Sequence, residues 1–90
     1  MKHIVITVHG YVQGVFFRYT TRKVARKLGL TGYVINKPDG TVFIEAEGPE
    51  DKLEELLIFC RKGPRDAVVE KVDFTYSDAE NRYKGFEYSY

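Results

Sequence analysis

The segment HGYVQGVFFR, residues 9–18, combines two glycines and an arginine at a spacing that suits the binding of an anion. Gly10 and Gly14 permit backbone conformations that turn successive N–H groups toward one point. Arg18 stands where a helix would begin, and the helix macrodipole repels positive charge there unless an anion lies nearby. Its planar guanidinium suits two-point hydrogen bonding to a phosphoryl group. From the spacing alone, a tight turn followed by a solvated arginine explains the segment equally well.

The elements that flank this segment are predicted to be a strand and a helix. Residues 4–8 show the two-residue period of a strand with one preferred core face. An apolar stripe at helical spacing follows the segment, and Gly29 after two basic residues is typical of a helix end. The stripe consists of Phe17, Thr21, Val24 and Leu28.

The middle of the chain predicts a β-hairpin and then a second helix. Residues 32–36 and 41–47 are rich in β-formers and flank the turn sequence Pro38-Asp39-Gly40. Residues 48–64, GPEDKLEELLIFCRKGP, have acids in the first helical turn and bases in the last, which suits the helix dipole. One face of this helix is predicted to pack in the core, and it consists of Leu53, Leu56, Leu57 and Cys60.

The last third of the chain predicts a fourth strand at residues 67–77, a polar loop at 78–84 and a short terminal strand in which Phe86, Tyr88 and Tyr90 alternate. The element order is therefore βαββαβ with a short C-terminal strand, in one domain over residues 1–90. This order predicts an α+β fold, the ferredoxin-like split βαβ sandwich, with two helices on one face of an antiparallel-dominated sheet.

This topology brings Asn36 toward Arg18. A βαβ crossover makes the first two strands parallel, and the third strand fits antiparallel between them. The ends of the first two strands then share one edge of the sheet, with backbones about 10 Å apart. Asn36 ends the second strand, so a phosphate together with the side chains of Arg18 and Asn36 would fill that gap.

Composition limits the classes of function. The 90 residues contain 14 Lys and Arg against 13 Asp and Glu, so no strong overall field attracts nucleic acid or an anionic membrane. The apolar run at the N-terminus is too short for a signal peptide or a membrane span, which predicts a cytoplasmic protein. The single cysteine, Cys60, forms no intramolecular disulfide and offers no metal-ligand spacing.

Five segments in this order resemble the acylphosphatase family and cover nearly the whole chain. They are GYVQGVFFR at 10–18, KLGLTGYVINKPDGTV at 27–42, EGPEDKLEELL at 47–57, GPRDAVVEKV at 63–72 and GFEY at 85–88. In that family the arginine of the first motif binds the substrate phosphate, and the asparagine of the second orients the attacking water. The resemblance assigns these roles to Arg18 and Asn36. Tyr33 stands where many family members have tryptophan.

The resemblance also implies the backbone groups that hold the phosphate and the reaction. The backbone cradle corresponds to Gln13, Gly14, Val15, Phe16 and Phe17. The implied activity is metal-independent hydrolysis of a carboxyl-phosphate bond, without a cofactor, on a small-molecule acyl phosphate. We expect a monomer, and the tyrosines near the C-terminus, expected to be exposed, are the only hint of a contact surface. Nothing in the sequence identifies the acyl group.

Acidic and histidine side chains offer a competing metal or acid–base mechanism. Glu45, Glu47, Glu50 and Asp51 are expected at the edge opposite the predicted site, as a solvated rim. Asp39 lies at the correct edge, but within Pro-Asp-Gly it is expected to form the turn. His9 has no identifiable carboxylate partner in the sequence and is expected to be structural. His3 has still less claim to catalysis.

Two non-enzyme functions are also open. The first helix carries Arg18, Arg22, Lys23, Arg26 and Lys27, and ferredoxin-like sheets with exposed aromatic residues can bind single-stranded RNA. The third strand argues against RNA binding, because TVFIEAE has one aromatic residue and two acids where an RNA-binding sheet has a basic and aromatic run. The other possibility is an accessory domain that binds an acyl phosphate without turnover.

Overall fold

The computed structural model describes the backbone of residues 1–89. The elements in chain order are β1 Lys2–Tyr11, α1 Phe17–Lys27, β2 Thr31–Asn36, β3 Val42–Gly48, α2 Glu50–Lys62, β4 Val68–Asp78 and β5 Phe86–Ser89. The predicted elements are all present within small differences at their ends. The predicted position of Tyr90 in the terminal strand lies outside the described residues.

The five strands form one mixed sheet in the order β4-β1-β3-β2-β5. The pairs of β1 with β3, β1 with β4 and β2 with β3 are antiparallel, and β5 pairs with β2 in parallel. The predicted ferredoxin-like arrangement is confirmed, with β3 between β1 and β2. Val8 of β1, Val42 of β3 and Asn36 of β2 lie in register across these strands.

The core lies between one face of the sheet and the two helices. Alternate strand residues such as Ile4, Ile6 and Val8 are completely buried there, which is the period that β1 predicted. The predicted face of α2, Leu53, Leu56, Leu57 and Cys60, is also buried. Burial raises the pKa of the Cys60 thiol to about 12, so this cysteine is a packing residue in the folded protein.

Helix α1 packs less of its predicted stripe into the core than expected. Phe17 and Thr21 are buried, whereas Val24 and Leu28 are partly buried against the core, and Ala25 is the third buried residue of the helix. Among the described residues, no helix is long and apolar enough to cross a membrane.

Of the C-terminal tyrosines that the structure describes, Tyr83 and Tyr88 contact neighbouring side chains, which corrects the expectation that they are exposed. Tyr83 and Tyr88 are half-buried. The Tyr83 ring stacks against His3 with the ring centroids 6.2 Å apart, and the Tyr88 ring lies beneath Arg22, 4.3 Å from the guanidinium carbon. These two residues therefore offer no free contact surface.

Candidate functional site

A cleft of about 240 Å³ lies at the sheet edge where β1 and β2 end. It is lined by Val12, Gly14, Phe16, Phe17, Arg18, Tyr19, Asn36 and Tyr88. Arg18 at the start of α1 and Asn36 at the end of β2 thus line one space, as the topology predicted. The two residues are 18 positions apart in the chain, and the crossover through α1 brings them together.

The loop before α1 bends through two left-handed residues. Gly14 has φ 75°, and Phe16, the N-cap of α1, has φ 62° and ψ 23°. No side chain caps α1, and no acidic residue lies in its first turn. The N–H groups of that turn have no partner within the helix, and an anion in the cleft would lie at the positive end of the dipole. This geometry suits a phosphoryl group.

The two glycines of the loop have different roles. Gly10 has φ +132°, and a Cβ on it would collide with the backbone of β4 at Val68. It lies at the shift in the pairing of β1 with β4, so the close approach of β4 requires a glycine there. Gly14 has open space around its Cβ position and lines the cleft. Only Gly14 is placed to approach a ligand.

Of the five residues predicted as the backbone cradle, Gly14, Phe16 and Phe17 line the cleft. The side chain of Gln13 lies elsewhere and donates to two carbonyl oxygens, those of Lys37 at 2.8 Å and Thr41 at 2.9 Å. Val15 is buried in the core. Gln13 therefore ties the loop to the β2–β3 hairpin, which holds the loop at a fixed position relative to the end of β2.

The cleft is strongly basic on the side of α1 and β5. The guanidinium carbon of Arg18 lies 5.7 Å from the centroid of the Tyr88 ring, and that of Arg22 lies 4.3 Å from it. Such cation–π contacts hold the guanidinium planes in place. Glu87 is 3.9 Å from Arg22 and 2.9 Å from Arg26, so a carboxylate partly offsets the charge further along the helix.

Tyr88 lines this cleft, although the sequence did not identify it as a cleft residue. Its side chain reaches the cleft because β5 adds to β2 in parallel, with Tyr88 opposite Val34. The alternation of Phe86 and Tyr88 showed that both side chains lie on one face. Nothing comparable in the sequence indicated which strand β5 pairs with.

Asn36 has an unsatisfied acceptor at the cleft. Its side-chain oxygen is buried and has no hydrogen-bond partner among the described protein atoms. A buried acceptor of this kind costs free energy unless a bound molecule supplies a donor. The Asn36 amide is therefore suited to hold a water molecule or a substrate group at the end of β2.

The acids of β3 are not a solvated rim, which corrects the expectation for Glu45 and Glu47. Glu47 is 4% exposed, and its Oε2 lies 2.8 Å from His3 Nδ1. The backbone N–H groups of Glu80 and Asn81 donate to its two carboxylate oxygens, each at 2.8 Å. Burial by itself raises the pKa of Glu47, but these donors outweigh it and lower the pKa below 4.5.

His3 bridges two carboxylates in this cluster. Its Nε2 lies 2.8 Å from Oε1 of Glu45, which also accepts hydrogen bonds from the hydroxyls of Tyr33 and Tyr83. Burial opposes ionisation of Glu45, yet the donors lower its pKa, while burial and the bond to Glu45 raise that of Tyr33. Each ring nitrogen of His3 thus lies within hydrogen-bond distance of a carboxylate oxygen.

The same cluster contains a set of potential metal ligands. His3, Glu47 and Glu80 offer ligand atoms that lie within 4.8 Å of one another. The ring nitrogens of His3 and both oxygens of Glu47 already take part in the hydrogen bonds above. A metal would have to displace them, so this donor set fits an internal network better than a cation site. The cluster lies at the sheet end opposite the cleft.

Two further residues near the cleft edge have clear partners. His9 Nε2 lies 3.0 Å from Oδ2 of Asp73, so the expectation that His9 lacks a carboxylate partner is wrong. Asp39 accepts hydrogen bonds from the N–H of Thr41 at 3.0 Å and from its hydroxyl at 2.6 Å. These bonds lower the pKa of Asp39 and show the turn-forming role expected for it. Neither His9 nor Asp39 lines the cleft.

Known proteins are similar to this chain over most of its length. The family model described as Acylphosphatase matches residues 4–88. An acylphosphatase of Thermotoga maritima is 49% identical over 90 residues, covering 100% of this chain and 99% of that protein. One of Salinibacter ruber is 49% identical over 85 residues, covering 94% of this chain and 90% of that protein. The crystal structure of acylphosphatase from Bacillus subtilis matches with a TM-score of 0.96 at 37% identity and covers 100% of both chains.

Proposed function

Because this chain belongs to the acylphosphatase family, we propose that it hydrolyses the carboxyl-phosphate bond of acyl phosphates with Arg18 and Asn36 as its catalytic residues. The observation that carries this proposal is that both side chains line one small cleft at the N-terminus of α1. A carboxylate and inorganic phosphate are the products.

Arg18 and the loop bind the phosphoryl group in this proposal. The backbone N–H groups of Gln13 to Phe17, with the first turn of α1, surround the phosphate oxygens, and the guanidinium donates to two of them. Phosphoryl transfer needs mainly positioning and neutralisation of the charge on the equatorial oxygens. The Tyr88 ring beside Arg18 supports the orientation of the guanidinium.

Asn36 orients the attacking water. A neutral amide does not accept a proton from water, but its buried oxygen accepts a hydrogen bond from it and so directs the lone pair of the water toward phosphorus. A phosphate oxygen of the substrate takes the proton of the water. The carboxylate leaves without being protonated, because it is already a good leaving group. The mechanism requires no metal ion and no cofactor.

The proposal also covers the oligomeric state, the location and the partners of the enzyme. We propose a monomer in the cytoplasm that acts on a small molecule and binds neither nucleic acid nor membrane. The near-neutral net charge of +1 supports the last point, because no general electrostatic attraction to polyanions is available. Sedimentation at several protein concentrations tests the monomer.

The experiment is the release of benzoate from benzoyl phosphate in the presence of a chelator. We expect turnover by the parent and a loss of about 100-fold or more in kcat in Arg18→Gln and in Asn36→Ala, the range for removal of one donor to a developing charge. Lys23→Gln, an exposed cation on the same helix, is the matched control and should retain activity. Circular dichroism establishes that each variant is folded.

Three outcomes would contradict parts of this proposal. A folded parent without turnover excludes the enzyme and leaves a phosphate-binding domain. Turnover that the chelator abolishes excludes the metal-independent mechanism. Turnover that survives both substitutions assigns the reaction to other residues.

A further inference from the structure

Two exposed aromatic side chains stand at the mouth of the cleft. Phe16 is 77% exposed and Tyr19 is 50% exposed, and both line the same space as Arg18 and Asn36. Phe16 directly precedes α1 as its N-cap, and Tyr19 lies in the first turn of the helix. The cleft thus has an apolar rim directly beside its phosphate-binding end.

The backbone conformation of Phe16 is unusual. Its φ of 62° is rare for a residue with a bulky side chain, and glycine or asparagine would adopt it with less strain. The ring also contributes little to the core, because most of it faces solvent. Strain and exposure in one residue at a binding site indicate a functional requirement rather than a packing one.

Two tyrosine rings that line the cleft are in contact with cations: Arg22 lies 5.7 Å from the centroid of the Tyr19 ring, and the Tyr88 ring has two such contacts. Arg18 and Arg22 lie over the Tyr88 ring at 5.7 Å and 4.3 Å. An acyl group that projects from the bound phosphate therefore finds guanidinium groups beside the Tyr88 and Tyr19 rings, and the exposed Phe16 ring at the rim of the cleft. With a volume of about 240 Å³, the cleft is below the usual size of ligand pockets and suits one compact group beside the phosphate.

We propose that Phe16, with Tyr19 beside it, is the acyl-group subsite and that it favours acyl phosphates with a flat aromatic acyl group over those with a short aliphatic one. This inference rests on the proposed hydrolysis and adds the class of acyl group to it. Offset or edge-to-face packing on the Phe16 ring supplies the preference. A second anionic group on the substrate would instead find the basic side chains of Arg22, Lys23 and Arg26 along α1, and acyl phosphates of that kind serve as the competing class.

The test compares kcat/KM for benzoyl phosphate with kcat/KM for acetyl phosphate in the parent and in Phe16→Asn. Asparagine accepts the left-handed conformation, so the loop is retained while the ring is removed. We expect the benzoyl-to-acetyl ratio to fall about 10-fold, mainly through the KM of benzoyl phosphate, as for the loss of one aromatic contact. Damage to phosphate binding affects both substrates alike, and their different intrinsic reactivities cancel when the ratio of the variant is divided by that of the parent.

Three further variants make the test specific. Phe16→Tyr retains the ring and should restore the parent ratio, and Tyr19→Ala should lower the ratio less than Phe16→Asn does. Tyr11→Asn is the matched control, because Tyr11 is 63% exposed in the same segment but does not line the cleft. The benzoyl-to-acetyl ratio of Tyr11→Asn should equal that of the parent.

The possible failures are distinguishable. If the folded parent hydrolyses neither substrate, the proposed function is overturned and this inference with it. If both substrates are hydrolysed and Phe16→Asn leaves the ratio unchanged, the inference alone is overturned. The same conclusion follows if Tyr11→Asn shifts the ratio equally, or if succinyl phosphate, which carries a second anionic group, is preferred to benzoyl phosphate by the parent and by Phe16→Asn alike.

Discussion

At one end of the sheet the side-chain oxygen of Asn36 is buried without a protein partner, and at the other end both carboxylate oxygens of Glu47 accept hydrogen bonds. The cleft end also contains Phe16 in a strained conformation and an uncapped helix N-terminus. The opposite end satisfies buried charges through His3, tyrosine hydroxyls and backbone N–H groups. One sheet thus combines an end with unsatisfied groups and an end where the polar groups are paired.

The contrast indicates that the cleft end of this small domain serves binding and that the opposite end, around His3, serves stability. An acceptor that is to hold a water, such as the Asn36 oxygen, keeps a lone pair without a protein donor, which costs free energy in the folded state. The cluster around His3 fixes the loop at residues 79–85 to the ends of β1 and β3, and β5 follows that loop. We therefore expect substitutions at the two ends to affect different measurements.

The largest effect on stability is expected for Glu47→Ala. The substitution removes a partner of the His3 ring and leaves the N–H groups of Glu80 and Asn81 without their acceptor. The free energy of unfolding should fall by about 3–5 kcal/mol, measured by urea denaturation. Glu54→Ala, at an exposed position of α2, should change it by less than about 0.5 kcal/mol. Equal losses in the two variants would show that the cluster contributes nothing specific.

A smaller loss of stability, also caused by the cluster around His3, is expected at low pH. The pKa values of Glu45 and Glu47 are lowered from 4.5 in the folded state, so their contribution to stability is complete above pH 4.5. It is lost as the pH falls through the lowered values. The urea midpoint of the parent should therefore drop steeply below pH 4.5. The drop should be weaker in Glu47→Gln, which has no proton to gain there, and an equal drop would assign acid sensitivity to other groups.

The smallest effect on stability, with the opposite sign, is expected for Asn36→Ala. Removing a buried acceptor that has no protein partner should leave the free energy of unfolding unchanged or raise it by up to about 1 kcal/mol. The same variant should lose activity, as proposed above. A destabilisation comparable to that of Glu47→Ala would mean that Asn36 is structural and would remove the contrast between the two ends.

Local patterns were sufficient to predict the elements and the meeting of Arg18 with Asn36. Two-residue and helical periods depend on neighbours in the chain, and a crossover connection then decides which strand ends share an edge. The position of β5 was not predictable in this way, because a short alternating strand pairs equally well with several partners. Tyr88 was missed as a cleft residue for that reason.

The acidic cluster was misjudged because it depends on contacts between distant parts of the chain. Glu45 and Glu47 alternate with core residues in β3, which is the usual pattern of a solvent-facing side. They are covered by a loop more than 30 residues later in the sequence. The pairing of His9 with Asp73 depends similarly on the register of β1 with β4, which shifts between His9 and Gly10.

The place of β5 in the sheet has a consequence for protein synthesis. Of the elements described, β5 is synthesised last, yet it covers the outer edge of β2 and brings Tyr88 to the cleft. A nascent chain that has folded through β4 would still present β2 as an open edge, available for pairing with another chain. The cleft would acquire the part of its wall that Tyr88 forms only after translation has passed β5.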